Sequence, residues 1–304
     1  MALTPEHAID VVTKVFGRHP GFRSLHAKGL VLKGTFAAAP EAAELTRAAH
    51  MQGGDPVPAT FRVSNGGGNP HHPDWAPDPR GLAVKFYLPD GSRTDIVAVS
   101  SPLFPTRTPE GFVELIAAQG AGAAAAWTMP LFLARHPEAL RVIPVVAPTL
   151  RPPASYAAIP YYGIHAFKWT DATGGERYVR YTLRPDAPLA RLMPWEAKRR
   201  GGDYLQQEIR ERVAGGPVRF GLEVQIATPG DPVDDPSAAW PKGRRRVRVG
   251  TLEITGLDDE RETGGDVLVF DPSRVTDGIE GSEDPVLRFR PEAYSESIKR
   301  RTGG

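Results

Sequence analysis

Two side chains with acid, base or ligand chemistry stand near opposite ends of this sequence. His26 lies in the stretch Phe22–Gly29, FRSLHAKG, with Arg23 three residues before it and Lys28-Gly29 after it. A strand-like run, Leu30 to Phe36, leads away from it. Imidazole titrates near neutrality, so a histidine at the mouth of a strand with a cation beside it suits acid/base work next to an anionic cofactor. Tyr294 follows Arg290 by four residues. On a helix that spacing sets a guanidinium against a phenol and favours the phenolate. Taken alone, the same pattern describes an ordinary contact between helix neighbours, and a lone histidine is more often structural than catalytic.

The totals bound what these groups can be part of. The chain has 304 residues, 37 basic and 36 acidic, for a net charge of +1. No bulk field favours nucleic acid or a membrane surface. There is no cysteine, which excludes disulfides, thiolate metal sites and a cysteine nucleophile. That absence fits a reducing compartment, and the expected location is cytoplasmic. Glu6, Asp10 and Lys14 interrupt the apolar pattern of the first twenty residues, giving an amphipathic helix rather than a signal peptide. The longest apolar run, Ala117 to Leu133, is rich in Gly and Ala and short for a membrane span. Gly (32) and Pro (31) are both frequent, which points to many turns.

The elements that must position the two sites follow in order. Thr4 and Pro5 start a helix running to Phe16. Strands are expected at Leu30–Ala38, Thr60–Ser64, Gly81–Leu88 and Asp95–Ser100, the last two joined by the Asp90-Gly91 turn. A helix entered through Pro40 is expected to reach Met51. Asn65-Gly-Gly-Gly-Asn-Pro is a loop without side chains, where backbone can approach something closely. Two helices, split near Gly120–Gly122, fill Thr108–His136. Tyr161–Trp169 and Tyr178–Leu183 should pair across Asp171–Gly175. A helix over Pro194–Val213, strands at Val218–Ala227, Arg244–Thr255 and Asp266–Phe270, and a helix over Pro291–Arg301 complete the set. About eight spaced strands without regular β-α alternation predict an α+β fold, an antiparallel β-barrel with inserted and C-terminal helices, in a single domain spanning residues 1–304.

Three segments, HAKG at His26–Gly29, DPRGLAVKFY at Asp78–Tyr87 and FDPSRVTDGIEGSEDPVLRFRPEAY at Phe270–Tyr294, resemble the haem catalases, in the same order. The resemblance runs from about residue 20 to 302 and is nearest to the small catalase-related peroxidases, which keep the barrel core alone. It implies haem b as cofactor. His26 falls on the distal catalytic histidine and Ser64 on the serine that orients it. Tyr294 falls on the tyrosine that ligates iron. Arg290 falls on the arginine paired with the phenolate, with His165 and Asp284 completing that proximal network. Arg23, Arg62 and Arg301 fall on residues that bind the propionates, and Phe104 on an aromatic near the substrate channel.

One position departs from the pattern. Register puts Val99 where catalases carry an asparagine that helps place peroxide, and valine donates no hydrogen bond. The resemblance therefore implies a haem peroxidase. It would reduce hydrogen peroxide or an organic hydroperoxide with a small organic electron donor, with weak catalase activity, as a monomer or homodimer. Two other readings keep the resemblance: a hydroperoxide isomerase or lyase of the allene oxide synthase type, and a barrel that binds haem without catalysis. Three further features read as structural. His71-His72 near Asp74 lie in a Gly/Pro loop with no fixed ligand geometry. Lys242–Arg248, KGRRRVR, has no interleaved aromatics and reads as a solvated strand face. The tryptophans, Trp195 and Trp240 among them, read as packing residues.

Overall fold

The computed structural model describes residues 3–259 and 267–303. Eight antiparallel strands close a barrel: β1 (Gly29–Ala38), β2 (Val57–Asn65), β3 (Arg80–Tyr87), β4 (Arg93–Val99), β5 (Tyr161–Tyr162), β7 (Glu176–Pro185), β8 (Val218–Ile226) and β9 (Arg246–Leu257). They pair in that order, and β9 returns to β1 to close the ring. Two short strands, β6 (Phe167–Thr170) and β10 (Ile279–Gly281), extend the sheet from one edge of β7. Closure removes the free edges that would otherwise pair with other chains.

Period-two alternation sorts each wall strand into a core face and an outer face. Phe61 and Val63 of β2, Leu82, Val84 and Phe86 of β3, and Ile96 and Ala98 of β4 are buried in the barrel core. Their neighbours Arg62, Ser64, Gly81 and Val99 therefore lie on the opposite face. Register lines up Gly29, Ser64, Gly81, Val99 and Tyr162 as one row across five strands. That row is the floor of the site.

The described helices pack on the outside of the barrel or on one another. They are α1 (Pro5–Phe16), α2 (Pro40–Ala43), α3 (Pro109–Gln119), α4 (Ala125–Arg135), α5 (Pro137–Val146), α6 (Pro194–Arg200), α7 (Tyr204–Gly215) and α8 (Pro285–Arg301). Thr4 caps α1, accepting from the His7 amide. No single helix among the described residues is long and apolar enough to cross a membrane.

Several elements differ from the sequence expectations. The helix from Pro40 stops at Ala43, and only a 3₁₀ turn recurs at Ala49–Met51. Pro194–Val213 breaks into α6 and α7 at Gly201, whose φ is 98°. A third helix, α5, follows the expected pair because Pro137 restarts the chain at the first helical position. Tyr161–Trp169 is two strands with a gap at residues 163–166. Asp266 lies outside the described residues, and Val267–Phe270 form no strand. The last helix begins at Pro285, six residues early, and carries Pro291 inside it. Trp240 is buried at 6% exposure, but Trp195 is 54% and Trp127 82% exposed, so these two are not packing residues. Within KGRRRVR, Arg244 pairs with Asp231 and Arg248 with Asp186.

Candidate active site

The chain entering β1 carries His26 and is fixed by backbone contacts on three sides. The His26 amide donates to Gly66 O at 3.0 Å and the Ala27 amide to Gly67 O at 3.1 Å. Arg62 donates from below to His26 O at 2.9 Å and to Ala27 O at 3.4 Å. Asp78 holds the glycine loop itself by accepting from the Gly66 and Gly67 amides. The Gly-Gly-Gly run is therefore a backbone-on-backbone contact: a Cβ on Gly68 would lie 2.2 Å from Ser24 O. Held this way, His26 has φ of 54°, the only positive φ outside glycine among the described residues. Such left-handed backbone persists where its surroundings over-determine it.

The imidazole lies over the Ser64–Gly81–Val99 row. Its Nδ1 is 3.0 Å from Ser64 Oγ. A Cβ on Gly81 would sit 2.6 Å from Ser64 Oγ and 2.8 Å from His26 Nδ1, so only glycine leaves room for the pair. Val99 is the next member of the row and offers an apolar surface. The hydroxyl beside it, Ser100 Oγ, accepts from the Arg80 amide. Burial first, then the charges of Arg62, Arg290 and Arg23, lower the His26 pKa to about 3, against a weaker upward pull from the Asn65 backbone. The ring is neutral at physiological pH. In the tautomer whose Nδ1–H donates to Ser64 Oγ, the Nε2 lone pair is available as a base.

A buried polar network anchors the HAKG segment from behind. Lys28 Nζ reaches Asp74 at 2.8 Å, Asp203 at 2.7 Å and the Gly202 carbonyl at 2.7 Å. Asp74 also accepts from Asn65 Nδ2 and the Leu205 amide, and Asn65 accepts from Tyr156 OH. This engages Asp74 fully and takes it out of reach of a metal at His71-His72. No cluster of three His, Cys, Asp or Glu suited to a metal ion occurs among the described residues.

The second half of the site comes from α8. Asp284 caps its N-terminus, accepting from the Val286 and Leu287 amides at Oδ1, while Oδ2 meets His165 Nδ1 at 2.6 Å. One carboxylate thus starts the helix and orients the histidine. His165 sits in the gap between β5 and β6, beside which β10 pairs and runs straight into Asp284. Arg290 donates to Tyr294 OH at 2.9 Å, and both side chains are half-buried. The expected relay is interrupted in the middle. No hydrogen bond joins His165 to Arg290, and His165 Nε2 is buried without a partner among the described residues. Burial, then the charge of Arg290, lower the His165 pKa to about 4, with Asp284 pulling upward. Arg290 lies within electrostatic reach of both histidines.

The remaining expected residues make contacts of their own. Arg23 donates to Leu268 O at 2.7 Å. Arg62 directs part of its guanidinium at the His26 and Ala27 carbonyls. Arg23 and Arg301 line one cleft between α1 and α8. Phe104 packs at a tilt against Phe112 with centroids 4.8 Å apart, and its amide donates to Pro236 O. Gly81, the Asp78 clasp and the Lys28–Asp74–Asn65–Tyr156 network were not among the expected site residues. A glycine inside a strand was the available signal for the first, since it marks close approach.

A neutral imidazole, a phenol held by a guanidinium and arginines at one edge are the donor set of a planar, dianionic, metal-bearing cofactor. The unpartnered His165 Nε2 and the part-exposed His26 ring fit a site completed by such a group. The fold is a closed antiparallel barrel with a capped last helix that carries Arg290 and Tyr294. The chain belongs to the catalase family, whose model matches residues 6–304. It is 49% identical over 301 residues, 99% of this chain and 96% of the other, to the catalase-related peroxidase of Mycolicibacterium paratuberculosis. The catalase-related peroxidase of Synechococcus elongatus is 34% identical, over 99% of this chain and 90% of its own length. A fungal catalase crystal structure superposes with a TM-score of 0.84 at 28% identity, covering 95% of this chain and 61% of that one.

Proposed function

We infer that the protein is a haem peroxidase that reduces hydrogen peroxide or an organic hydroperoxide with electrons from a small organic donor. This reading rests above all on a neutral, serine-bound imidazole lying within electrostatic reach of the guanidinium that holds the Tyr294 phenol. Haem b fits the donor set: Tyr294 would ligate iron, Arg290 would favour its phenolate, and Arg23, Arg62 and Arg301 would meet the carboxylates. When bound, the cofactor supplies the metal and the redox equivalents for cleaving the O–O bond.

The chain's own residues move the proton. His26 Nε2 takes it from the hydroperoxide and returns it to the departing oxygen, so the leaving group is water or an alcohol. Ser64 fixes the tautomer and the ring plane. Val99 contributes no donor, so a second peroxide is poorly placed for dismutation. The isomerase and non-catalytic readings gain no support from this geometry.

The chain is read as one cytoplasmic domain, on the strength of its single barrel and its lack of cysteine. Of the two expected assembly states, the exposed apolar faces of α4 and α5 favour the homodimer. The function is tested by comparing oxygen release with donor oxidation at matched haem content. Donor oxidation should dominate, and efficient oxygen release with no donor turnover would refute the reading.

A further inference from the structure

We propose that the cleft between α1 and α8 binds the reducing substrate, and that this substrate is a small phenol carrying a carboxylate; the proposal rests on the peroxidase reading above. The cleft encloses about 320 Å³, within the range of small-ligand sites. Arg18, Arg23, Arg300 and Arg301 line it against a single acid, Asp10. Neither His26 nor Tyr294 lines it, and two of its arginines, Arg23 and Arg301, are those assigned above to the haem carboxylates. It still reaches the same edge: Arg23 is three residues from His26, and Arg301 is seven beyond Tyr294, two turns further along α8.

The charges of the cleft are not equivalent. Asp10 is held by Arg300 at 2.6 Å, and Arg300 also meets Glu296 at 2.6 Å. Arg18 is exposed and makes no hydrogen bond or ion pair among the described residues. Phe22, also in the lining, is 46% exposed and offers an apolar ring at the rim. Gly17, with φ of 88°, turns the chain out of α1 so that Arg18 and the loop to Ser24 border the opening. An unpaired guanidinium beside an exposed ring recognises a planar ring with a carboxylate.

The reaction balances with such a donor. Two phenols each give up the hydrogen of their O–H bond, and the RO–OH bond breaks: ROOH + 2 ArOH → ROH + H₂O + 2 ArO•.

The test uses haem-loaded protein with 3-(4-hydroxyphenyl)propionate and its methyl ester, which carry the same phenol with and without the charge. Binding is read by titration calorimetry and turnover by phenol oxidation with hydrogen peroxide. The acid should bind about fivefold tighter than the ester, as one partly exposed charge contact gives. The preference should shrink with added salt. Arg18→Glu should bring the acid-to-ester ratio to unity or below, and Arg18→Lys should keep it. Equal binding of acid and ester to the wild type, or an unchanged ratio in Arg18→Glu, overturns the site. Binding of the acid without its oxidation, in protein that consumes no peroxide with any donor, marks failure of the peroxidase reading and removes the cleft's assignment to a reducing substrate.

Discussion

At the scale of the residue, the protonation state of His26 decides whether the site can start. Its pKa is depressed to about 3, so the base form is the resting form. Acid removes the activity only when pH approaches that value, because the group must gain a proton to be lost as a base. Peroxide consumption per haem should therefore stay level from about pH 8 to about pH 5, with no inflection near the ordinary histidine value of about 6.5. A half-maximal rate near pH 6.5 would show that the imidazole is not held in this electrostatic setting. The same field explains why Arg62 matters beyond any contact with a carboxylate. It holds the His26 carbonyl and lowers the imidazole pKa at once.

At the scale of the element, β3 shows how a strand shapes the site by omitting a side chain. Gly81 lies between Ser64 and Val99 in the row beneath the imidazole. Gly81→Ala would force a methyl group into the Ser64–His26 contact. Displacement by about 1 Å costs on the order of a hundredfold in a positioned reaction. The variant should keep its barrel by circular dichroism and its bound haem while peroxide consumption falls by about that factor; an unchanged rate would mean that the His26–Ser64 contact does not position the base.

Much of this was legible beforehand, and the rest was hidden for physical reasons. Alternation in β2, β3 and β4 was strong enough to give each strand to within a few residues. The ends of the long helices were not, because Pro marks a start and also tolerates an interior. Pro285 begins α8 and Pro291 sits inside it, and the two look alike in sequence. His26, Ser64, Arg290 and Tyr294 come from motif resemblance, and the structure joins them in two pairs, His26 with Ser64 and Arg290 with Tyr294. The break between His165 and Arg290, and the Lys28–Asp74–Asn65–Tyr156 anchor, depend on contacts between residues distant in sequence. No local pattern encodes those.

At the scale of the whole molecule, α1 packs on α8, and a separate apolar face looks outward. On α4 and α5, Trp127 is 82%, Leu131 51%, Leu140 55% and Ile143 46% exposed. Patches of this kind mark association surfaces. Sedimentation should give a mass of twice 32.9 kDa for the wild type, and Trp127→Glu should return it to the monomer with peroxide consumption retained. A monomeric wild type would leave that face without a second copy. On the proposed reading, the barrel, the glycine loop and the capped last helix hold the His26 imidazole and the Tyr294 phenol as the two groups that would flank a haem. The absorption spectrum of haem-loaded protein, wild type beside Tyr294→Phe, tests this most directly. The account predicts that phenolate-to-iron charge transfer is present in the wild type and absent in the variant; identical spectra with haem bound to both would contradict it.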